Sequence, residues 1–250
     1  MSALLEIDGL TRRFGGLVAV DALGFTVEQH EIVGLLGPNG SGKTTVLNLL
    51  SGVLRPDAGR IGFRGHAIGG QPAHRIARLG MARTFQLVRP LASLTCGDNV
   101  LTGLAFGRRR AWGAAAAAEA ERLLERVGLG GARDSLPGEL TYIDQKRLEL
   151  ARALALQPDL LLLDEWLAGL NPTELEAGIA LIRSLNGEGI TILLVEHVMD
   201  AIRSLCHRCV VMNVGRLIAS GLPAEVLADR EVVRAYLGED DNDRRGGDDA

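Results

Sequence analysis

The stretch Gly37-Pro-Asn-Gly-Ser-Gly-Lys-Thr44 constrains this chain more than any other. It has the spacing GxxxxGK[ST], follows the apolar run Ile32–Leu36 and precedes the helical pattern Lys43–Leu50. A strand, a glycine-rich turn and a helix in that order build a cradle for phosphate groups. The glycines let backbone N–H groups close around an anion that a Cβ would hold away. The first turn of the helix adds unpaired N–H donors and the positive end of its dipole. The predicted nucleotide-binding residues are therefore Gly37, Pro38, Asn39, Gly40, Ser41, Gly42, Lys43, Thr44 and the adjacent Thr45. Lys43 is expected to reach the β- and γ-phosphates of ATP, and the Thr44 hydroxyl to bind Mg²⁺.

Short β-branched runs alternate with helical patterns, which predicts an α/β fold built on this phosphate loop, the P-loop NTPase class. Strands are expected at 4–7, 19–27, 32–36, 60–63, 160–164, 191–195, 209–213 and 216–220. The runs at 160–163 and 190–195 are continuously apolar, as central parallel strands covered on both faces should be. The early strands alternate more and are separated by glycine-rich turns, which predicts an antiparallel β subdomain at the edge. Between 87 and 157 strand signals fade, and helices are expected at 98–106, 114–127 and 145–156. The alanine run at 114–118 favours helix over disorder, since alanine is the best helix former. The expected organisation is one domain over 4–238, with an α/β core at 1–86 and 158–238 and an inserted helical subdomain at 87–157.

A second chemical element closes the strand Leu160–Asp164, where two carboxylates, Asp164 and Glu165, stand in succession. A strand ending in Asp-Glu is common by itself. Beside a phosphate loop, Asp164 is placed to hold Mg²⁺ and Glu165 to polarise an attacking water as general base.

Composition narrows the setting. The net charge of −4 is accounted for by the tail at 239–250, where six acids outnumber two arginines. That tail reads as solvated and disordered. The remaining body is neutral, which argues against a nucleic-acid partner. No run is apolar enough to span a bilayer, and residues 1–9 lack the basic and apolar regions of a secretory signal. A cytoplasmic protein that meets membranes only through partners is the expectation. The three cysteines fit a reducing compartment, and Cys206 and Cys209 read as ordinary thiols at a helix-to-strand junction.

With these motifs placed, the chain resembles the ATP-binding cassette (ABC) ATPases from residue 4 to about 239, and within them the LivG type of branched-chain amino acid importers. Arg13-Phe14-Gly15-Gly16 lies where the family keeps an aromatic on adenine, so Phe14 is the candidate, with a core phenylalanine as the alternative. Arg83-Thr-Phe-Gln86 matches the glutamine loop; by resemblance Gln86 senses Mg²⁺ and the γ-phosphate, and the segment after it faces the membrane subunit. Ala168-Gly-Leu-Asn-Pro172 matches the D-loop, and Leu194-Val-Glu-His197 the switch histidine, a catalytic role for His197. Arg234-Ala-Tyr-Leu-Gly-Glu239 resembles the ending of LivG-type chains.

Two departures stand out. The family signature Leu-Ser-Gly-Gly-Gln, or Leu-Ser-Tyr-Gly-Gln in this branch, becomes Leu140-Thr-Tyr-Ile-Asp144 here. Thr141 keeps the hydroxyl expected to bind nucleotide across a dimer. Ile143 replaces a glycine, and is expected to add bulk where a phosphate approaches and to resist a positive φ. Asp144 replaces a glutamine and adds like charge. Trp166 replaces the proline usual after Glu165, with packing as its expected consequence.

The resemblance implies a head-to-tail pair with a second ABC ATPase subunit, a heterodimer or a homodimer. It further implies two membrane permease subunits, an external (periplasmic or extracellular) solute-binding protein acting indirectly, and a peripheral seat on the cytoplasmic face of the plasma membrane. Transport of branched-chain or related amino acids is the first reading, and a cassette for another small solute such as an amide the alternative. Non-transport ABC ATPases usually carry two cassettes or a long coiled coil, and neither is present. A GTPase would need an Asn-Lys-x-Asp motif, which is absent. A module that binds ATP without turnover would not need both Glu165 and His197.

Overall fold

The structure, a computed structural model, describes residues 3–237. From its start the chain forms β1 (Leu5–Phe14), β2 (Leu17–Val27), β3 (Ile32–Leu36), α1 (Lys43–Leu50), β4 (Ala58–Phe63), β5 (His66–Ala67), α2 (Ala73–Leu79) and β6 (Met81–Arg83). Three helices follow, α3 (Cys96–Phe106), α4 (Gly113–Arg126) and α5 (Tyr142–Ala155). The remainder runs β7 (Leu160–Asp164), α6 (Pro172–Gly187), β8 (Thr191–Val195), α7 (Met199–Leu205), β9 (Arg208–Asn213), β10 (Arg216–Gly221), α8 (Pro223–Ala228) and α9 (Arg230–Leu237). The acidic tail predicted at 239–250 lies outside the described residues.

The two strand patterns sort into two sheets. The alternating early strands make a four-stranded antiparallel sheet in the order β2-β1-β4-β5. The continuously apolar strands sit inside a six-stranded sheet in the order β10-β9-β3-β8-β7-β6, parallel from β9 to β6 and closed by the antiparallel hairpin β9–β10. Every residue of β3, β7 and β8 is buried. The period-2 geometry of a strand divides their side chains between two cores. Leu160, Leu162, Leu193 and Val195 face the antiparallel sheet and α1. Leu161, Leu163, Ile192 and Leu194 face the helices, including Val100, Leu124 and Leu150 from α3, α4 and α5.

Several bounds differ from the sequence reading. β1 continues to Phe14 through the polar stretch 8–13, because register shifts after Ile7 and Leu10 absorb residues that break the alternation. β6 is too short to show a period; pairing with β7 creates it. α5 begins three residues earlier than expected because Thr141 caps it, its hydroxyl oxygen accepting the Asp144 N–H. α6, not singled out in the sequence, starts at a capping box in which Asn171 and Glu174 each satisfy the other's backbone N–H. Among the described residues no helix is long and apolar enough to cross a membrane. Cys206 and Cys209 are free, buried thiols at the α7–β9 junction.

Candidate active site

Parallel strands end on the same side, so the order β3-β8-β7-β6 gathers the loops after all four strands at one edge. Asp164 lies opposite Val195 and Arg83 opposite Leu162 in the parallel registers. These pairings bring Gln86, Glu165 and His197, distant in sequence, to the mouth of the phosphate loop.

The loop requires its glycines. Gly37 and Gly42 have φ of 143° and 106°. A Cβ on Gly37 would lie 2.1 Å from the Met212 carbonyl oxygen, and one on Gly42 would lie 2.4 Å from that of Ala19. The Gly37 N–H donates to the Tyr236 phenol oxygen at 2.8 Å, so α9 reaches back to the start of the loop. The Lys43 ammonium donates to the carbonyls of Gly37 and Pro38 at 2.7 and 2.9 Å. Burial lowers its pKa, and the charges of Glu165 and Asp164 oppose that shift. α1 starts at Lys43 without a side-chain cap, which leaves the N–H groups of its first turn available to a ligand.

Glu165 is held at both carboxylate oxygens. Gln86 Nε2 donates to Oε2 at 2.6 Å, and His197 Nε2 lies 3.0 Å from Oε1. Its backbone adopts φ 51°, in the left-handed region. A carboxylate fixed between an amide and an imidazole can take a proton from water in a defined direction. Phe14, Lys43, Thr44, Thr45, Gln86 and Glu165 line one open cleft of about 440 Å³. Phe14 closes the β1–β2 hairpin opposite Leu17 and is 43% exposed, with the Arg12 guanidinium 4.8 Å from its ring centre. It is not a core phenylalanine.

Asp164 is 2% exposed. Its Oδ2 accepts from Arg83 Nη2 at 2.8 Å, while Oδ1 is buried without a hydrogen-bond partner. Burial raises its pKa, opposed by Arg83. Ser41 Oγ is likewise buried and unpartnered. Buried groups are nearly always satisfied, so two orphaned oxygens beside a phosphate cradle call for a further group. Hard oxygen donors of this kind fit Mg²⁺ carried with a polyphosphate.

The signature residues lie away from this cleft within the chain, and two expectations about them need correction. Ile143 is helical rather than at positive φ, and lines a partly open cavity with Trp166. The charge of Asp144 is already partnered: it accepts from Arg147 at 3.0 Å and from the Thr141 hydroxyl at 2.7 Å. The Thr141 hydroxyl is therefore engaged in capping its own helix.

Five residues of this region carried no assigned role in the sequence: Arg83, Lys146, Glu149, Glu196 and Tyr236. Lys146 and Glu149 had a readable signal, because charges on the otherwise apolar inner stripe of α5 must have partners inside. Burial raises Glu149 and Glu196 to about 7. Glu196 Oε1 accepts the Leu167 N–H at 2.5 Å.

Loop, paired carboxylates and sheet order define a phosphate-loop nucleotide hydrolase of α/β class. The chain belongs to the ABC transporter family, whose profile matches residues 20–168; a profile for branched-chain amino acid ATP-binding cassette transporters matches 216–242. It is 43% identical to the high-affinity branched-chain amino acid transport ATP-binding protein LivG of Salmonella typhimurium, over 94% of this chain and 98% of that one. It is 41% identical to the corresponding protein BraF of Pseudomonas aeruginosa, with the same coverage. A solved ATP-binding cassette of an ABC transporter in its ADP conformation matches with a TM-score of 0.86 and 30% identity, over 96% of this chain and all of that one. A nucleotide-free cassette matches equally, with a TM-score of 0.86, 29% identity and 95% and 100% coverage.

Proposed function

We propose that this chain hydrolyses Mg-ATP to drive uptake of branched-chain or related amino acids, from the cytoplasmic face of the plasma membrane. The observation that carries the hydrolytic reading is Glu165, gripped by Gln86 and His197 at the mouth of the cleft that holds Lys43. The loop N–H groups and Lys43 bind the phosphates, and Phe14 stacks on the base. Thr44, Asp164 and Gln86 would hold Mg²⁺, which would supply positive charge to the phosphate oxygens. Glu165 takes the proton of the attacking water, and His197 keeps the carboxylate on its line.

The names of the LivG and BraF relatives support the solute class. Residues 87–157 act as a helical subdomain in this reading. A groove of about 390 Å³ between β6 and that subdomain, lined by Phe85, Arg89, Phe106, Glu149 and Arg152, is the seat for a membrane permease. A second cassette completes the machine, its phosphate loop facing Thr141 of this chain.

Lys43→Ala is the test. Steady-state phosphate release in the assembled complex should fall to background at this chain's site, because among the described residues no other side-chain cation lines the cleft. Turnover within a few-fold of wild type would overturn the assignment.

A further inference from the structure

We propose that Lys146 and Trp166 are positioning residues for Glu165, and that they tie the aim of its carboxylate to the placement of helix α5. The proposal rests on the reading of Glu165 as the proton acceptor.

Glu165 has a conformational problem. Its φ of 51° is one that L residues other than glycine, asparagine and aspartate seldom adopt. Such a residue keeps its conformation only where the surroundings over-determine it. Here the turn lets the chain leave β7 and still swing the side chain back towards Gln86 and His197. One restraint is local to the sheet, the Glu165 N–H donating to the Val195 carbonyl at 2.8 Å. The others come from the helical side of the molecule.

Lys146 sits near the start of α5 and is 3% exposed. An ammonium has three N–H donors, and its nitrogen reaches three carbonyls of one short segment: Glu165 at 3.2 Å, Trp166 at 3.2 Å and Ala168 at 2.7 Å. Among the described residues it makes no ion pair. Burying an ammonium is costly, and methionine would fill a similar space without that cost. What only the ammonium supplies is a three-point grip on the peptide groups that carry Glu165.

Trp166 completes the grip from the other side. Its indole N–H donates to the Lys146 backbone carbonyl at 3.1 Å. The side chain of Lys146 holds the loop, and the side chain of Trp166 holds the backbone of Lys146. Proline, usual at this position in the resembling family, has no side-chain donor. Trp166 and Ile143, both departures from that family's pattern, also line the same cavity of about 190 Å³ between α5 and α6. Gly178 of α6 makes room for Leu167 and Trp166: a Cβ there would lie 2.6 Å from Leu167 Cδ2 and 3.3 Å from Trp166 Cζ3. The two unusual residues thus border one cavity where α5 meets the catalytic loop, and the Lys146–Trp166 bonds fasten the two together. Beyond it, Glu196 binds the Leu167 N–H, so the loop is held from the strand that carries His197 as well. A shift of α5 therefore pulls on the peptide of Glu165.

The test uses Lys146→Met, which keeps bulk and removes all three donors, and Trp166→Phe, which keeps the ring and removes the N–H. In the assembled complex, Lys146→Met should lower kcat about 100-fold, the cost of a misplacement near 1 Å. Trp166→Phe should lower it about tenfold, since one of four hydrogen bonds is lost. Binding of a fluorescent ATP analogue should change little for either. The same substitutions are then made in a Glu165→Gln background and followed by single-turnover cleavage, where they should add almost nothing. Equal losses in both backgrounds would mean general destabilisation and overturn the proposal. So would wild-type kcat in Trp166→Phe, the variant that carries the test if Lys146→Met does not fold. Loss of turnover in Glu165→Gln alone, with both clamp variants at wild-type rates, would remove this proposal and leave the proton acceptor in place. Wild-type turnover in Glu165→Gln would remove both.

Discussion

Arg83→Met should destabilise the protein and weaken its hold on a divalent cation together. The Arg83 and Asp164 side chains are 5% and 1% exposed, with nitrogen and oxygen 2.8 Å apart. Arg83 also donates to Asn48 Oδ1 at 2.7 Å and Ser51 Oγ at 3.1 Å, so the substitution leaves a buried carboxylate and two further acceptors short of donors. Removing one partner of a buried pair costs about 3–5 kcal/mol, because the other charge stays behind. For a domain of this size that is a melting temperature about 6–20 °C lower. Burial already raises the Asp164 pKa and Arg83 opposes the rise, so the substitution drives it higher. A carboxyl group raised above its unfolded value stabilises the fold at low pH, and that contribution is lost as pH rises through the folded pKa. The deficit of Arg83→Met should therefore be larger at pH 8 than at pH 5.5. With Oδ2 released, the carboxylate is no longer held in place by Arg83, and Mn²⁺ affinity of the ATP-bound protein should fall about 10–100-fold. Arg83→Lys keeps the charge but not the three-way fork, and should fall between. Thermal melts at both pH values and Mn²⁺ titration by electron paramagnetic resonance provide the readouts. Melting of Arg83→Met within about 2 °C of wild type at pH 8, less than 1 kcal/mol, would refute the argument.

Three further outcomes are expected. Phe14→Ala should weaken nucleotide affinity by about 1–3 kcal/mol, the range for base–aromatic stacking, in titration with a fluorescent ATP analogue; an unchanged dissociation constant would remove Phe14 from the site. Glu165→Gln should stop transport while the same change in the partner cassette is milder, because the second composite site faces a signature whose Thr141 hydroxyl already donates to the Asp144 carboxylate and accepts the Asp144 N–H; equal losses from the two single variants would sink this asymmetry. Glu196, at about 7 against 4.5 unfolded, keeps a proton that the unfolded chain releases, so it stabilises the fold below pH 4.5 and that gain, about 3 kcal/mol, fades as pH rises through 7. Glu196→Gln, neutral like the protonated acid, should therefore change stability little at pH 5 and raise it at pH 8, and a pH-independent difference in denaturant unfolding would count against it.

Much of this site was legible from local pattern. Gly37–Thr44 declares itself because a loop that wraps phosphate needs glycine where φ is positive or backbone approaches closely, and Gly37 and Gly42 have such φ. Leu160–Asp164 and Thr191–Val195 declare themselves because strands covered on both faces must be apolar throughout. Those requirements act on neighbouring residues, so sequence records them. The partnerships are another matter. Arg83 meets Asp164 across 81 residues, His197 meets Glu165 across 32, and Gly37 meets Tyr236 across 199. Each follows from which strands and helices become neighbours. Local periodicity does not encode the sheet order β10-β9-β3-β8-β7-β6. It assigns Ile143 no face either, which is why that expectation for the signature changed; the partners of Asp144, Thr141 and Arg147, lie only three residues away. A cavity beside Trp166 exists only once α5 has packed against the loop that follows β7. Sequence alone determined which chemical groups the site contains; tertiary packing decided which of the distant ones touch, because strands and helices far apart along the chain become neighbours only on folding.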